Sequence, residues 1–420
     1  MAYSRTDTQA DQKARRIERL AINGGTPVRK DWLPYGRQSV TDSDITAVVN
    51  VLKSDWLTQG PTIADFEREV AAVAGAKYAV AFSNGTAGLH GAYFSCGIAA
   101  GDEIITSGMT FAATANAALY LGAIPRFADI DPNTGNIDPK SVEKLINEKT
   151  RAIVGVDYAG HPCQLDELRA IAQKHSLFLI EDAAHALGAE YKGCPVGSIS
   201  DLSVFSFHPV KAITTAEGGM VTTNDENLAH RLRNFRTHGI EKDPAFLDEA
   251  KPGPWYYEIQ ELGFNYRLTD IQAALGVSQL TRLPQFIERR GSIAKRYLDG
   301  LSKIPGVLPL AESAAVKSAR HLFPILVQDR QPSKARERLV RSLHAENIGV
   351  QVHYIPVYRH PLYMKLFGDA AQRCCPRTEE FYERVLSLPL FPAMTNQDAD
   401  DVLTALEKVL PECLTEIDCS

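Results

Sequence analysis

The 420-residue chain has no apolar run near the ~20 residues that a membrane-spanning helix requires, so no membrane segment is expected. It also lacks an excess of basic residues. Lys and Arg number 45 against 51 Asp and Glu, giving a net charge of -6 and no basic stripe for a phosphate backbone. Nucleic acid is therefore not an expected partner. The seven cysteines (Cys96, Cys163, Cys194, Cys374, Cys375, Cys413 and Cys419) are scattered and odd in number, without the paired spacing of a zinc site. No metal site is expected, and reduced thiols in a cytoplasmic protein are the simplest reading. There is no internal repeat and no low-complexity stretch. The first 30 residues are polar and of mixed charge, have no signal-peptide core, and are expected to form an N-terminal tail.

What is present is an ordinary globular composition, 45% hydrophobic and 23% charged, long enough for two domains. Ile63, Phe66, Val70 and Val73 recur at steps of three and four, as on one face of a helix. Between Thr41 and Val221 such segments alternate with short strand-like runs: 78–82, 103–106, 125–130, 152–156 and 177–180. Alternation of this kind predicts crossover units and a mostly parallel sheet. A long helical pattern over 271–297 is expected to link the large domain, 31–275, to a smaller α/β domain, 276–420. In the latter, 321–327 and 350–354 are expected to pair as strands, with helices at 334–346 and 398–410.

In open α/β sheets, ligands bind beyond the carboxyl ends of the strands. Three features stand at such ends. Asn84-Gly85-Thr86 opens a helix after a strand, where free backbone N–H groups and the helix dipole attract an anion; taken alone, an ordinary helix cap explains it equally well. Glu181 and Asp182 close an apolar strand, where adjacent side chains point to opposite faces. Asp182 is assigned the ligand face and Glu181 a scaffold role, against the alternative that Asp182 only caps the next helix. His185 follows about one helical turn later; by itself it reads as a structural histidine. Lys211 follows the apolar strand at 203–207 and precedes Thr214-Thr215-Ala216-Glu217-Gly218-Gly219. A lysine there can lose its proton more easily and attack a carbonyl. Lysine, strand-end carboxylate and phosphate-type loop are the parts a pyridoxal 5'-phosphate (PLP) site needs.

With these residues in place the chain resembles the fold type I nucleotide-sugar aminotransferases of the DegT/DnrJ/EryC1/StrS family, from about Leu20 to the C-terminus. The resemblance is carried by Asp55 to Gly60, Ser83 to Thr86, Met109 to Asn116, Glu181 to His185, Ser206 to Gly219, Leu262 to Arg267, and Val352-His353-Tyr354. It implies a PLP-dependent transferase with a mostly parallel central sheet and a smaller C-terminal domain. It also implies roles. Lys211 would form the Schiff base; dehydratase relatives carry histidine there. Asp182 would hold the pyridine nitrogen and His185 would lie near the phenolic oxygen. Gly85, Thr86 and Ser206 would hold the phosphate, with Phe111 on the ring face and Asn265 reaching the phosphate of a partner subunit. Thr58, Gln59, His353 and Tyr354 would border the sugar. The implied partners are a nucleotide sugar, an amino-acid donor and a second copy of the chain in a homodimer with shared sites.

Within the family, residues 54–60, 157–160 and 207–219 are most similar to the pseudaminic-acid type of enzyme. The implied acceptor is C4 of a UDP-linked 4-keto-6-deoxy-N-acetyl hexosamine, with glutamate as donor. His161 departs from the compared pattern. Alternative acceptors are a UDP-bacillosamine precursor and a GDP-perosamine type sugar. A non-catalytic PLP-binding regulator would be expected to carry a DNA-binding module, and none is visible.

Overall fold

The computed structural model describes residues 20–248 and 253–415. The large sheet is built from β1 (Tyr78–Phe82), β2 (Glu103–Ser107), β3 (Ile124–Ala128), β4 (Thr150–Val156), β5 (Phe178–Asp182), β6 (Leu202–Ser206) and β7 (Gly219–Thr223), in the order β1-β7-β6-β5-β4-β2-β3. All adjacent pairs are parallel except those made by β7, which runs antiparallel to β1 and β6. The expected mostly parallel sheet is therefore found. Strands such as β2 are buried along their whole length because helices cover both faces.

Helices α1 (Pro61–Ala74), α2 (Gly85–Ser95) and α3 (Ala113–Tyr120) belong to this layer. In α1, Ile63, Phe66 and Val70 are buried as their spacing requires, against Phe207, Ala273 and Leu280. The antiparallel placement of β7 brings the carboxyl ends of β1 and β6 to the amino end of β7: Phe82 and Ser206 both pair with Gly219. The loop after β1, the end of β6 and the chain entering β7 thus converge at one edge.

The 271–297 helical pattern is two helices, α4 (Asp270–Leu280) and α5 (Leu283–Leu301). Pro284 stands in the first turn of α5, where its missing N–H costs nothing; inside a continuous helix it would remove a bond and clash with the preceding turn. In the C-terminal part, β9 (Phe323–Val327) pairs with β8 (Val307–Pro309) on one side and β10 (Val385–Leu388) on the other, all antiparallel. The strand pair expected between 321–327 and 350–354 does not form. Residues 350–354 make only a single bridge, Gln351 to Ser387, and then turn toward the large sheet. Helices α6 (Pro332–Ala345) and α7 (Asn396–Cys413) cover this sheet, near the spans expected for them.

Of the segment 1–30, residues 20–30 are packed rather than tail-like, and residues 1–19 lie outside the described residues. Leu20 is 3% exposed in the C-terminal core with Tyr297, Leu343 and Val409. The buried Glu346 carboxylate accepts the N–H of Ala21 at 3.0 Å and of Val28 at 2.8 Å, and the Lys408 ammonium at 2.8 Å. A buried carboxylate supplied with a cation and two donors has its oxygens satisfied, and it fastens this segment to the C-terminal part.

Candidate active site

Asp182 ends β5 and is buried. Its Oδ2 accepts a 2.6 Å hydrogen bond from the Thr114 hydroxyl of α3, and its Oδ1 accepts the Ala184 N–H at 3.3 Å. Thr114 is in turn bonded to Thr110 at 2.7 Å. Burial raises the Asp182 pKa, while the Thr114 bond and the Lys211 charge pull it down. Glu181, pointing to the other face, accepts from the Ser203 hydroxyl of β6 at 2.7 Å. The strand alternation therefore separates the two acids as the sequence pattern required.

Lys211 sits in a closed excursion between β6 and β7. Phe207 N–H donates to Gly218 O, Thr215 N–H to Phe207 O, and Lys211 N–H to His208 O. This network holds the lysine backbone between two sheet strands. Burial pushes the Lys211 ammonium down to about 8, against the opposing attraction of Asp182.

At the end of β1, Asn84 caps α2, its Oδ1 accepting the Ala87 N–H at 2.8 Å. The capping alternative is therefore real, but it leaves the N–H groups of Gly85 and Thr86 without an acceptor among the described residues. A Cβ on Gly85 would lie 3.1 Å from Ser206 Cβ, so Ser206 and the start of α2 are packed side by side. Two free N–H groups, a hydroxyl and a helix N-terminus are the donors an anion such as a phosphate would need.

His185 is buried and kept neutral by burial and by the Lys211 charge. Its Nε2 is 3.0 Å from the Tyr354 hydroxyl and its ring lies 4.3 Å from that of His321. The Phe111 ring, 62% exposed, stands 6.3 Å from the Tyr354 ring. His353 and Tyr354, adjacent in the chain, go separate ways: His353 Nδ1 meets the Ser387 hydroxyl of β10 at 3.0 Å, while Tyr354 reaches His185. Tyr158, from the 157–160 turn, donates to the His353 carbonyl at 2.5 Å. Thr58 and Gln59 lie in an exposed loop tied to α4, with Thr58 bridged to Thr269. Asn265 is exposed beside the end of β1, where Tyr266 O accepts the Ser83 N–H at 2.7 Å.

Two groups at this site escaped the sequence reading. Thr114 lay inside the quoted 109–116 block, but nothing in its spacing tied it to Asp182. His321 was read only as the start of a strand.

The residues fit PLP by the chemistry of their donors: a two-N–H cradle packed on a hydroxyl, a desolvated carboxylate beside a lysine of lowered pKa, and an exposed aromatic ring. Sheet, site and donors together define a PLP-dependent transferase of fold type I. Comparison with known proteins narrows this. Residues 38–407 match the model of the DegT/DnrJ/EryC1/StrS aminotransferase family, and the chain belongs to that family. It is 42% identical over 383 residues to the spore coat polysaccharide biosynthesis protein SpsC of Bacillus subtilis (91% of this chain, 98% of the relative). The structure of Helicobacter pylori PseC, an aminotransferase of pseudaminic-acid biosynthesis, superposes with a TM-score of 0.85 at 37% identity, covering 91% of this chain and all of PseC. Spr1654 of Streptococcus pneumoniae, solved in PLP and pyridoxamine phosphate forms, also superposes at 0.85, with 30% and 31% identity, 91% of this chain and all of Spr1654. The protein is a PLP-dependent aminotransferase that acts on a nucleotide sugar with an amino donor.

Proposed function

We propose that the protein transfers an amino group from glutamate to C4 of a UDP-linked 4-keto-6-deoxy-N-acetyl hexosamine, in a pathway of the pseudaminic-acid type. The observation that carries the reading is the similarity to PseC along that enzyme's full length. Bound PLP supplies the electron sink and carries the amino group between donor and acceptor.

In this reading the chain's own residues divide the work. Lys211 is the covalent anchor and the proton carrier. A pKa of about 8 lets its amine both hold and release a proton near neutral pH. Asp182, oriented by Thr114, holds the pyridine nitrogen in its charged form. Gly85, Thr86 and Ser206 bind the phosphate, completed by Asn265 of a partner subunit in a homodimer. Phe111 would cover a ring face of the cofactor, and His185, held by Tyr354, would serve its phenolic oxygen. Thr58 and Gln59 border the sugar. His353 contributes by placing Tyr354, since its own ring is bonded to Ser387.

The 157–160 turn, one of the segments most similar to the pseudaminic type, is buried. It therefore bears on the acceptor only through packing, by way of Tyr158 and the His353 carbonyl. The test is kcat/KM for UDP-linked N-acetylated 4-keto sugars of both C5 configurations beside a GDP-linked 4-keto-6-deoxy mannose. The UDP sugar of the pseudaminic series is expected to be preferred. Preference for the GDP sugar overturns the assignment; preference for the other C5 epimer moves the protein to a bacillosamine-type branch.

A further inference from the structure

Behind Asp182 stand two acids that the transfer chemistry leaves unused. Asp157 follows the last residue of β4, and Glu181 is the penultimate residue of β5, level with Gly155. Both are 0% exposed. Each has one oxygen supplied with a donor: Asp157 Oδ1 accepts the Cys163 N–H at 3.0 Å and Glu181 Oε2 accepts the Ser203 hydroxyl at 2.7 Å. The remaining oxygens, Asp157 Oδ2 and Glu181 Oε1, find no protein donor among the described residues. The β4–β5 register brings the two buried carboxyl groups to adjacent strand ends, Glu181 level with Gly155 and Asp157 two residues further on, and each acts on the other's protonation. A carboxylate has no proton to give, so two carboxyl groups can bond only when one of them is protonated. Two bare carboxylates in contact without water would be far costlier.

We propose that Asp157 and Glu181 share a single proton across the ends of β4 and β5, and that this bond sets the position of Asp182. Both are positioning residues. The link to Asp182 is short: it follows Glu181 in the chain, and its carbonyl accepts the Asp157 N–H at 3.1 Å. The groups facing the pair are the Asp182 carboxylate, the Cys163 thiol, the Ser203 and Ser200 hydroxyls and the Gly197 N–H. Burial, reinforced by the neighbouring charges of Glu181 and Asp182, raises Asp157 far above the usual carboxylate range. Burial raises Glu181 as well, but the Ser203 hydroxyl pulls it back, so the proton is assigned to Asp157 and the charge to Glu181.

The inference rests on the proposed role of Asp182 only in its kinetic arm; two further arms need no substrate. In the PLP-loaded enzyme near neutral pH, the infrared spectrum is expected to contain a protonated carboxyl band that Asp157→Asn removes. Thermal stability supplies the second. A carboxyl whose folded pKa is raised contributes stability below its unfolded value, about 3.9 for Asp, that is lost as pH rises toward the folded value. The wild type should therefore lose melting temperature with rising pH more steeply than Asp157→Asn, by the equivalent of about one proton.

In the kinetic arm, Asp157→Asn keeps both bond and net charge, and kcat should stay within about threefold of wild type. Asp157→Ala leaves Glu181 unpaired and should lower kcat about tenfold or more at similar KM, with a shifted pH dependence of the cofactor absorbance. Identical infrared bands and pH slopes in wild type and Asp157→Asn would overturn the shared proton. Equal kcat in the Asn and Ala variants would overturn the positioning role. Neither result depends on which sugar is the acceptor.

Discussion

Asp182 and Glu181 are neighbours in the chain with different surroundings. Asp182 faces Thr114 and the field of Lys211, whereas Glu181 faces Ser203 and Asp157. This contrast supports a sharp expectation. If Asp182 holds the pyridine nitrogen as proposed, Asp182→Asn removes the charge that keeps it protonated and should cost roughly a hundredfold or more in kcat, while PLP should still bind through the proposed phosphate donors. Glu181→Gln retains a partner for Asp157 and should cost under about tenfold. Steady-state rates beside cofactor titrations decide it, and equal losses at the two positions would mean the wrong acid has been assigned. Strand alternation makes legible that the two acids face opposite sides; giving the ligand face to Asp182 is a proposal. Thr114 was not legible, because α3 and β5 are far apart in sequence and only the fold brings the hydroxyl to the carboxylate.

At the scale of elements, one side chain, Asp270, anchors the loop that carries Thr58 and Gln59, beside the Thr58–Thr269 bridge. Asp270, buried in the first turn of α4, accepts the Gly60 N–H at 2.8 Å and the Thr62 N–H at 3.0 Å. A Cβ on Gly60 would lie 2.7 Å from the Asp270 carboxylate, so glycine is needed there for close approach. Asp270→Ala strips two backbone donors of their acceptor and should cost about 1–3 kcal/mol of stability. It should also raise KM for the nucleotide sugar more than it lowers kcat. Melting curves and kinetics check this; an unchanged KM would detach the loop from substrate binding.

Elements were also where pattern reading failed, at the 271–297 helix and at 350–354. The long helical pattern runs past Leu280, but Pro284 starts a second helix there. The β-type residues of 350–354 found their partners in tertiary contacts, with Tyr354 drawn to His185 and His353 to Ser387.

For the whole molecule, the prediction concerns assembly. Asn265 is exposed, as are Leu262 at 81%, Trp255 at 76% and Ile259 at 65%, an apolar grouping close in sequence to a residue proposed to serve a partner's phosphate. If the site is shared, a Lys211→Ala chain mixed with an Asn265→Ala chain should form some heterodimers with one wholly wild-type site. Activity in the exchanged mixture should exceed that of both parents. Proven exchange without recovery would confine Asn265 to its own subunit or remove it from the site.

The sequence by itself determined the alternation of strands and helices in the large sheet, and it pointed to the lysine, the strand-end acid and the loop proposed for the phosphate. These are local properties: side-chain period, turn chemistry and the residues at a strand's end. Only the tertiary structure decided which groups meet them. The β7 reversal places Gly219 against Phe82 and Ser206, Thr114 comes to Asp182 from another helix, and the β4–β5 pairing brings Asp157 and Glu181 to adjacent strand ends. Each of these contacts joins segments distant along the chain. Their formation depends on burial and desolvation, which are properties of the packed molecule and not of any stretch of its sequence.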